Sequence, residues 1–252
     1  MYGEEMSEVN SYRNFLKSNA GLTDDISDSE KKIPYPKLQK NINENDVVID
    51  LPLMNELIIK DKDIYKCMKQ RRSRRKFSAE SLTIEELTYL LWATQGVEKI
   101  LADNSRTYRP VPSAGGRHPF ETYLVINNVD GMKKGVYRFL PLTNQLTFMF
   151  YDEAYIEKLD EYTFGQNFIG KGSVIFMWSC VPYRSEWEYN ISAHKAILLD
   201  AGHMCQNLYL ACESIGLGTC AIASYKQKEM DQFLKIDGEE EFVIYLAPVG
   251  KI

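Results

Sequence analysis

The stretch AHKAILLDAGHMCQNLYLACESIGLGTCAIAS, residues 193–224, decides how the chain folds. Ile197, Ala201, Met204, Cys205, Leu208, Cys212 and Ile215 recur with a 3.6-residue period, and much of the opposite surface is apolar too. This is a long helix at the centre of the molecule. Asp200 and His203 stand one turn apart on it with Asn207 beyond, and they read as a satisfied polar stripe rather than a catalytic dyad. Gly216 is placed to cap the helix, which explains one glycine of GLGTC (216–220) and leaves Gly218 to another cause.

Working outward, a second helix starts at Leu82. Thr83 and Glu86 form a capping box, and Ile84, Leu87, Leu90 and Leu91 share one face as far as Gln95 and Gly96. TYLVIN (122–127), GVYRFL (135–140) and QLTFMF (145–150) read as antiparallel strands joined by turns around Asp130-Gly131 and Pro141 to Asn144. A helical pattern covers 152–169, SVIFMWSCV (173–181) is a buried strand, a short helix lies near Lys228 to Leu234, and EFVIYLAPVG (241–250) closes as a strand. The Pro- and Gly-rich segment between Gly96 and Pro119 is expected to be an irregular loop, and IYKCMKQRRS from Ile64 a short helix. Residues 1–62, polar and interrupted by Pro34, Pro36 and Pro52, are expected to be an extended arm with a short N-terminal helix at most, leaving 63–252 as the folded domain.

Composition narrows the function. With 252 residues, 44% hydrophobic and 26% charged, the chain can bury a sizeable core. Thirty basic against thirty-five acidic residues give a net charge of -5, so no general positive field exists to hold nucleic acid. Five cysteines without CxxC spacing imply reduced thiols, and the acidic start MYGEEMSEVN has no apolar core of a signal peptide; a cytoplasmic location is expected. The longest apolar run is of strand length, so no membrane span is expected.

Against that acidic background, Lys69, Arg71, Arg72, Arg74, Arg75 and Lys76 crowd around Ser73. By itself the cluster is either a solvated basic face or an anion site, in which guanidinium forks and a hydroxyl take one phosphate. PVPSAGGRHP (110–119) is either a rigid surface turn or a backbone surface that a flat ligand can approach without meeting Cβ atoms. No GxGxxG follows a strand and no GxxxxGK[ST] occurs, which disfavours a Rossmann domain or a P-loop. His118, His194 and His203 have no metal-ligand spacing, no HExxH or GxSxG is present, and no metal site is expected.

Five motifs in order, RRSRRKF (71–77), LTIEELTYLLWATQGV (82–97), VPSAGGRHPFETYLVIN (111–127), LDAGHMCQNLYLACESIGLGTCAIA (199–223) and LAPVGKI (246–252), closely resemble the nitroreductase superfamily, and within it the SagB/ThcOx type of flavin dehydrogenase. The resemblance covers about residues 47–252. It implies an α+β fold, a mainly antiparallel sheet sandwiched by helices, in an intertwined homodimer with FMN at each of two subunit interfaces. Carried over by position, Arg71, Arg72, Ser73 and Arg75 match the segment for phosphate and ribityl chain, and Gly250 with Lys251 a C-terminal phosphate contact. Pro112, Ser113, Ala114 and Gly115 match the loop that the second subunit lays against the flavin ring. Gln166 matches a ring-edge or ribityl contact, and Gly218, Thr219, Cys220 and Ala221, continuing to Ala223, match the backbone beside the reactive face.

The activity so implied is an FMN-dependent oxidoreductase taking hydride from NADH or NADPH and reducing a small conjugated, quinone or nitroaromatic-like acceptor. Alternatives are a SagB-type peptide azoline dehydrogenase, an enzyme like the flavin-fragmenting dimethylbenzimidazole synthase, and a non-catalytic flavin-binding scaffold. SagB-type enzymes resemble this chain less at one point: where they carry a Lys-Tyr pair, Trp187 is followed by Glu188 and Tyr189. Tyr189 is then either a proton donor or an aromatic packed over the pocket rim.

Overall fold

A computed structural model describes residues 12, 13, 15–17 and 26–252. The short helix expected at the start of the arm falls largely outside the described residues. Among the described residues nine strands are present: β1 (Val48–Asp50), β2 (Lys99–Ile100), β3 (Thr107–Tyr108), β4 (Phe120–Ile126), β5 (Gly135–Leu140), β6 (Gln145–Phe150), β7 (Val174–Cys180), β8 (Leu217–Thr219) and β9 (Phe242–Lys251). The helices are α1 (Ile64–Gln70), α2 (Ile84–Gln95), α3 (Tyr155–Tyr162), α4 (Tyr183–Tyr189), α5 (Ala193–Ile215) and α6 (Gln227–Leu234).

Seven strands make one antiparallel sheet in the order β1-β6-β5-β4-β7-β9-β8. At its centre β4 and β7 pair from Phe120↔Cys180 to Ile126↔Val174, and every residue of both is buried. Because side chains alternate across a strand, these runs feed two cores. Leu124, Ile126, Val174, Phe176 and Trp178 face the layer of α2 and α5, while Tyr123, Val125, Ile175 and Met177 face α3 and α6. The sandwich is thus α+β, as the resemblance implies. Emptying a fully buried position such as Leu90 or Leu208 to alanine should cost about 2–5 kcal/mol.

Helix ends follow their local chemistry. Thr83 accepts from the Glu86 amide and Glu86 from that of Thr83, the capping box at the start of α2. Gly216 takes φ 77°, a left-handed cap that closes α5.

Three local readings need correction. The segment from Gly96 to Pro119 is not wholly irregular: β2 and β3 pair as a small hairpin, with Asn104 at φ 57° in the turn, and a single 3-10 turn spans Ala114–Gly116. Within 152–169 only Tyr155–Tyr162 is α-helical, because Phe164 and Gly165 both take left-handed backbone and break the helix before a 3-10 turn at Ile169–Lys171. The last part of the arm is not merely extended, since Val48–Asp50 adds an edge strand to β6. Among the described residues no helix is long and apolar enough to cross a membrane, and no group of three or more His, Cys, Asp or Glu is placed to hold a metal.

Candidate active site

The basic cluster lies against the far edge of the sheet. Arg71 caps α1, and the chain then runs beside β8: Ser73 pairs with Thr219 in parallel, the Arg74 amide donates to Thr219 O at 2.8 Å, and the Ser78 amide donates to Lys251 O at 2.9 Å. So close an approach requires glycine at two positions. A Cβ at Gly218 would stand 2.4 Å from Ile252 and 2.7 Å from the Arg74 side chain, and one at Gly250 would stand 2.9 Å from Phe77. This is the second cause for GLG. It brings Arg71 to Arg75, residues 218–221 and residues 250–251 into one region.

Tyr209, from the last third of α5, ties that region together. Its hydroxyl lies 3.1 Å from Ser73 Oγ and accepts from the Ala221 amide at 2.8 Å, while the Arg71 guanidinium sits 5.2 Å above its ring. Arg75 lies over the Phe168 ring at 5.8 Å, and nearby Gln166 donates to Ser224 O at 3.3 Å, so Gln166 also reaches the segment following β8. The charges differ in availability. Arg74 pairs with Glu213 at 3.6 Å and the Lys251 ammonium with Glu86 at 2.5 Å, whereas Arg71, Arg72 and Arg75 have no carboxylate partner among the described residues. Arg72 instead donates to the carbonyls of Lys69 and Arg71.

A second group forms around Pro112 to Gly115. Asp200, buried on α5, accepts from Ser113 Oγ at 2.6 Å and from the Ala114 amide at 3.1 Å, and Ser113 Oγ accepts in turn from the His118 amide at 2.9 Å. Burial pushes the Asp200 carboxyl above the usual carboxylate range, and these two donors oppose the rise. The polar stripe is satisfied as expected: Asn207 donates to Ala93 O at 2.9 Å. Gly115 takes φ 58°, and a Cβ there would lie 2.4 Å from the Tyr189 hydroxyl and 2.7 Å from Glu188 Oε2. Tyr189 is therefore packed on the loop. Its phenol is raised above its ordinary value by burial first and by the Glu188 charge second. Glu188 is no free carboxylate, because Arg106 holds it at 3.0 Å; its other oxygen is buried without a hydrogen bond.

The two groups stand apart in one chain. Their anchors on α5, Asp200 and Tyr209, are nine residues or about 13 Å apart along the helix axis, and no hydrogen bond or ion pair joins the groups among the described residues. Sequence reasoning missed Tyr209, Phe168, Arg106 and the Glu86 partner of Lys251. None carries a local signal, since each acquires its place only when distant segments pack.

The nitroreductase family profile matches residues 68–251. A protein of Methanocaldococcus jannaschii named as a nitroreductase is 30% identical over 203 residues, 81% of this chain and 96% of its own. Among solved structures, one named as a nitroreductase from Anabaena variabilis superposes with TM-score 0.68 at 22% identity; it covers 82% of this chain and 42% of that one, so this chain spans less than half its length. Another from Ralstonia eutropha covers 87% of this chain and 98% of its own, with TM-score 0.66 and 22% identity. A chain of the Escherichia coli microcin synthetase McbBCD complex, with truncated pro-MccB17 bound, covers 99% of this chain and 94% of its own, with TM-score 0.60 and 17% identity. The structural likenesses speak for the fold. Together with a profile match running from 68 to 251 and a relative aligned along almost its whole length, they establish that the chain belongs to the nitroreductase family.

Proposed function

We propose that this member of an oxidoreductase family binds FMN, takes electrons from NADH or NADPH, and passes them to a small conjugated, quinone or nitroaromatic-like acceptor, working as a homodimer. The observation that carries the reading is the docking of RRSRR on the glycine-bearing strand β8, continued by Phe77 and Ser78 on β9, with Arg71, Arg72 and Arg75 free of carboxylates among the described residues. That donor set suits a single phosphate dianion, and no dinucleotide fingerprint is present for an adenosine diphosphate.

Bound FMN supplies the hydride chemistry. The chain's own residues do the rest. Arg71, Arg72 and Arg75 hold the phosphate; Ser73, fixed by Tyr209, adds a hydroxyl; and Gly250 lets Phe77 and the basic segment close on β9. The Lys251 ammonium, engaged by Glu86, contributes through its backbone position rather than as a free charge. Gly218, Thr219, Cys220 and Ala221, braced by Tyr209 and Gln166, form the flat backbone beside the ring. Pro112 to Gly115 serve the flavin of a second copy, which the 13 Å between anchors along α5 supports. Exposed Ile64, Tyr65, Met68, Leu198 and Leu199 offer apolar surface for that copy. Tyr189, kept protonated by its surroundings, is the proton donor at the rim, and Arg106 neutralises the carboxylate beside it.

A peptide-heterocycle dehydrogenase is the second reading, favoured by one observation: the match to the McbBCD chain covers 99% of this chain. Anaerobic titration of the oxidised holoprotein with NADH, NADPH and a thiazoline peptide as alternative electron donors, followed by reoxidation with a neutral quinone or a nitroaromatic, tests both. The proposal expects bleaching and rapid reoxidation by quinone or nitroaromatic. Preferential oxidation of the peptide would transfer the assignment to the second reading, and no bleaching would leave a flavin scaffold.

A further inference from the structure

We infer that residues 27–41 are a positioning strap that sets where α4 and the 113–118 loop sit. The inference rests on the proposed place of Tyr189 and that loop on the substrate side of the flavin.

Two turns long, α4 cannot hold itself in place. Pro182 gives it no side-chain cap, and it breaks off at Asn190, whose φ is 48°. Beside the contacts of Arg106 with Glu188 and His194 with Glu186, its anchors come from the strap. The strap opens on a tight turn in which Ser27 and Glu30 exchange hydrogen bonds. From that turn the Ser29 amide donates to Trp187 O at 2.8 Å, and Asp28 accepts from the Tyr183 hydroxyl at 2.9 Å. Trp187 Nε1 donates to Ile33 O at 2.9 Å, and Tyr35 meets the same indole edge-on at 6.4 Å between centroids. At the strap's far end the Lys40 amide donates to the buried Glu121 carboxylate at 2.8 Å, which also receives Arg184 of α4. Arg138 binds Glu121 as well and donates to Asn41 O at 2.7 Å.

From α4 the linkage passes to the loop. The Arg117 guanidinium lies 4.8 Å from the Trp187 ring, and Arg117 donates to Arg184 O at 2.7 Å and to Ser105 O at 3.1 Å. Arg117 follows Gly115 and Gly116 directly, and Gly115 is the residue on which Tyr189 and Glu188 pack. One indole thus receives the strap and the loop's buried arginine, and the next two residues carry the polar tips facing Gly115. A site group is held to its working geometry only when such supports are rigid.

The test is Tyr183→Phe with Trp187→Phe, which removes the hydrogen bonds to Asp28 and Ile33, keeps the ring at 183 and leaves a smaller aromatic ring at 187. In the purified holoprotein, amide exchange at 183–189 and 113–118 should quicken about five- to thirtyfold, the loss of one to two hydrogen bonds, with β4 and β7 unchanged. FMN affinity should stay within about twofold while kcat/KM for the acceptor falls in step with exchange. Should the double variant fail to fold, Tyr183→Phe alone is expected to give about fivefold at the same amides. Faster exchange confined to 27–41, with 183–189 and 113–118 as in wild type, would overturn the strap. A wild type that binds no flavin would defeat the proposed function, yet the exchange result would still decide the strap.

Discussion

Gly115→Ala probes the packing of the loop on Tyr189 within one chain. Alanine at φ 58° costs about 1–2 kcal/mol in backbone strain alone. Its Cβ would also stand 2.4 Å from the Tyr189 hydroxyl, 2.7 Å from Glu188 Oε2 and 3.1 Å from Tyr189 Cζ. Overpacking of that kind adds about 1–3 kcal/mol, because the tyrosine is flanked by a carboxylate already tied to Arg106. The sum, about 2–5 kcal/mol, lowers Tm by about 4–20 °C in a chain of this size. Differential scanning calorimetry of Gly115→Ala, Tyr189→Phe and the double variant separates the two costs. Tyr189→Phe removes the nearest atom, so in the alanine background it should recover about 1 kcal/mol, leaving the backbone strain in place. A Gly115→Ala protein melting within 2 °C of wild type, with no coupling to Tyr189→Phe, would refute the packing.

Three further outcomes follow from the same geometry. His118 is buried, and desolvation followed by the Arg109 charge lowers its pKa from 6.5 to about 3. The unfolded chain then takes a proton that the folded one refuses, so stability is complete above pH 6.5 and falls as pH drops toward 3, by up to about 4–5 kcal/mol; urea denaturation of His118→Gln should show a flatter profile in that window. All five cysteines are buried, and burial raises the thiols of Cys67, Cys180, Cys205 and Cys212, so a thiol reagent should modify the native protein slowly and all five positions at once in denaturant; a fast native thiol would contradict the packing. Sedimentation at micromolar concentration should show a dimer, and Leu198→Glu with Leu199→Glu should shift it toward monomer with loss of flavin; a flavin-loaded wild-type monomer would contradict the shared site.

What could be read from the chain beforehand has a physical pattern. Elements whose ends carry their own chemistry were legible: Thr83 and Glu86 start α2, Gly216 stops α5, and the runs at 135–140 and 145–150 are strands at those bounds. Elements that exist only through a partner were not. Val48–Asp50 is only three residues long, and it becomes a strand because β6 leaves an edge open; β2 and β3 are two residues each and exist by pairing with one another. At the candidate site, RRSRR and the glycine loops stand out by composition. Tyr209 does not, since a tyrosine seven residues before a helix cap looks like any core aromatic until Ser73 and Ala221 meet its hydroxyl. Glu188 carries no sign of its partner in the sequence, because Arg106, 82 residues away along the chain, lies beyond any local reading.

The claim on which the rest depends is that RRSRR, seated on β8, holds the phosphate of FMN. Equilibrium titration of the apoprotein with FMN and with riboflavin, for wild type and Arg71→Ala, tests it most directly, because the two ligands differ only in the phosphate. Wild type should bind FMN at least about a hundredfold more tightly than riboflavin, and Arg71→Ala should weaken FMN about ten- to a hundredfold while leaving riboflavin nearly unchanged. Equal affinity for the two flavins in wild type, or an Arg71→Ala protein that binds FMN as wild type does, would contradict it.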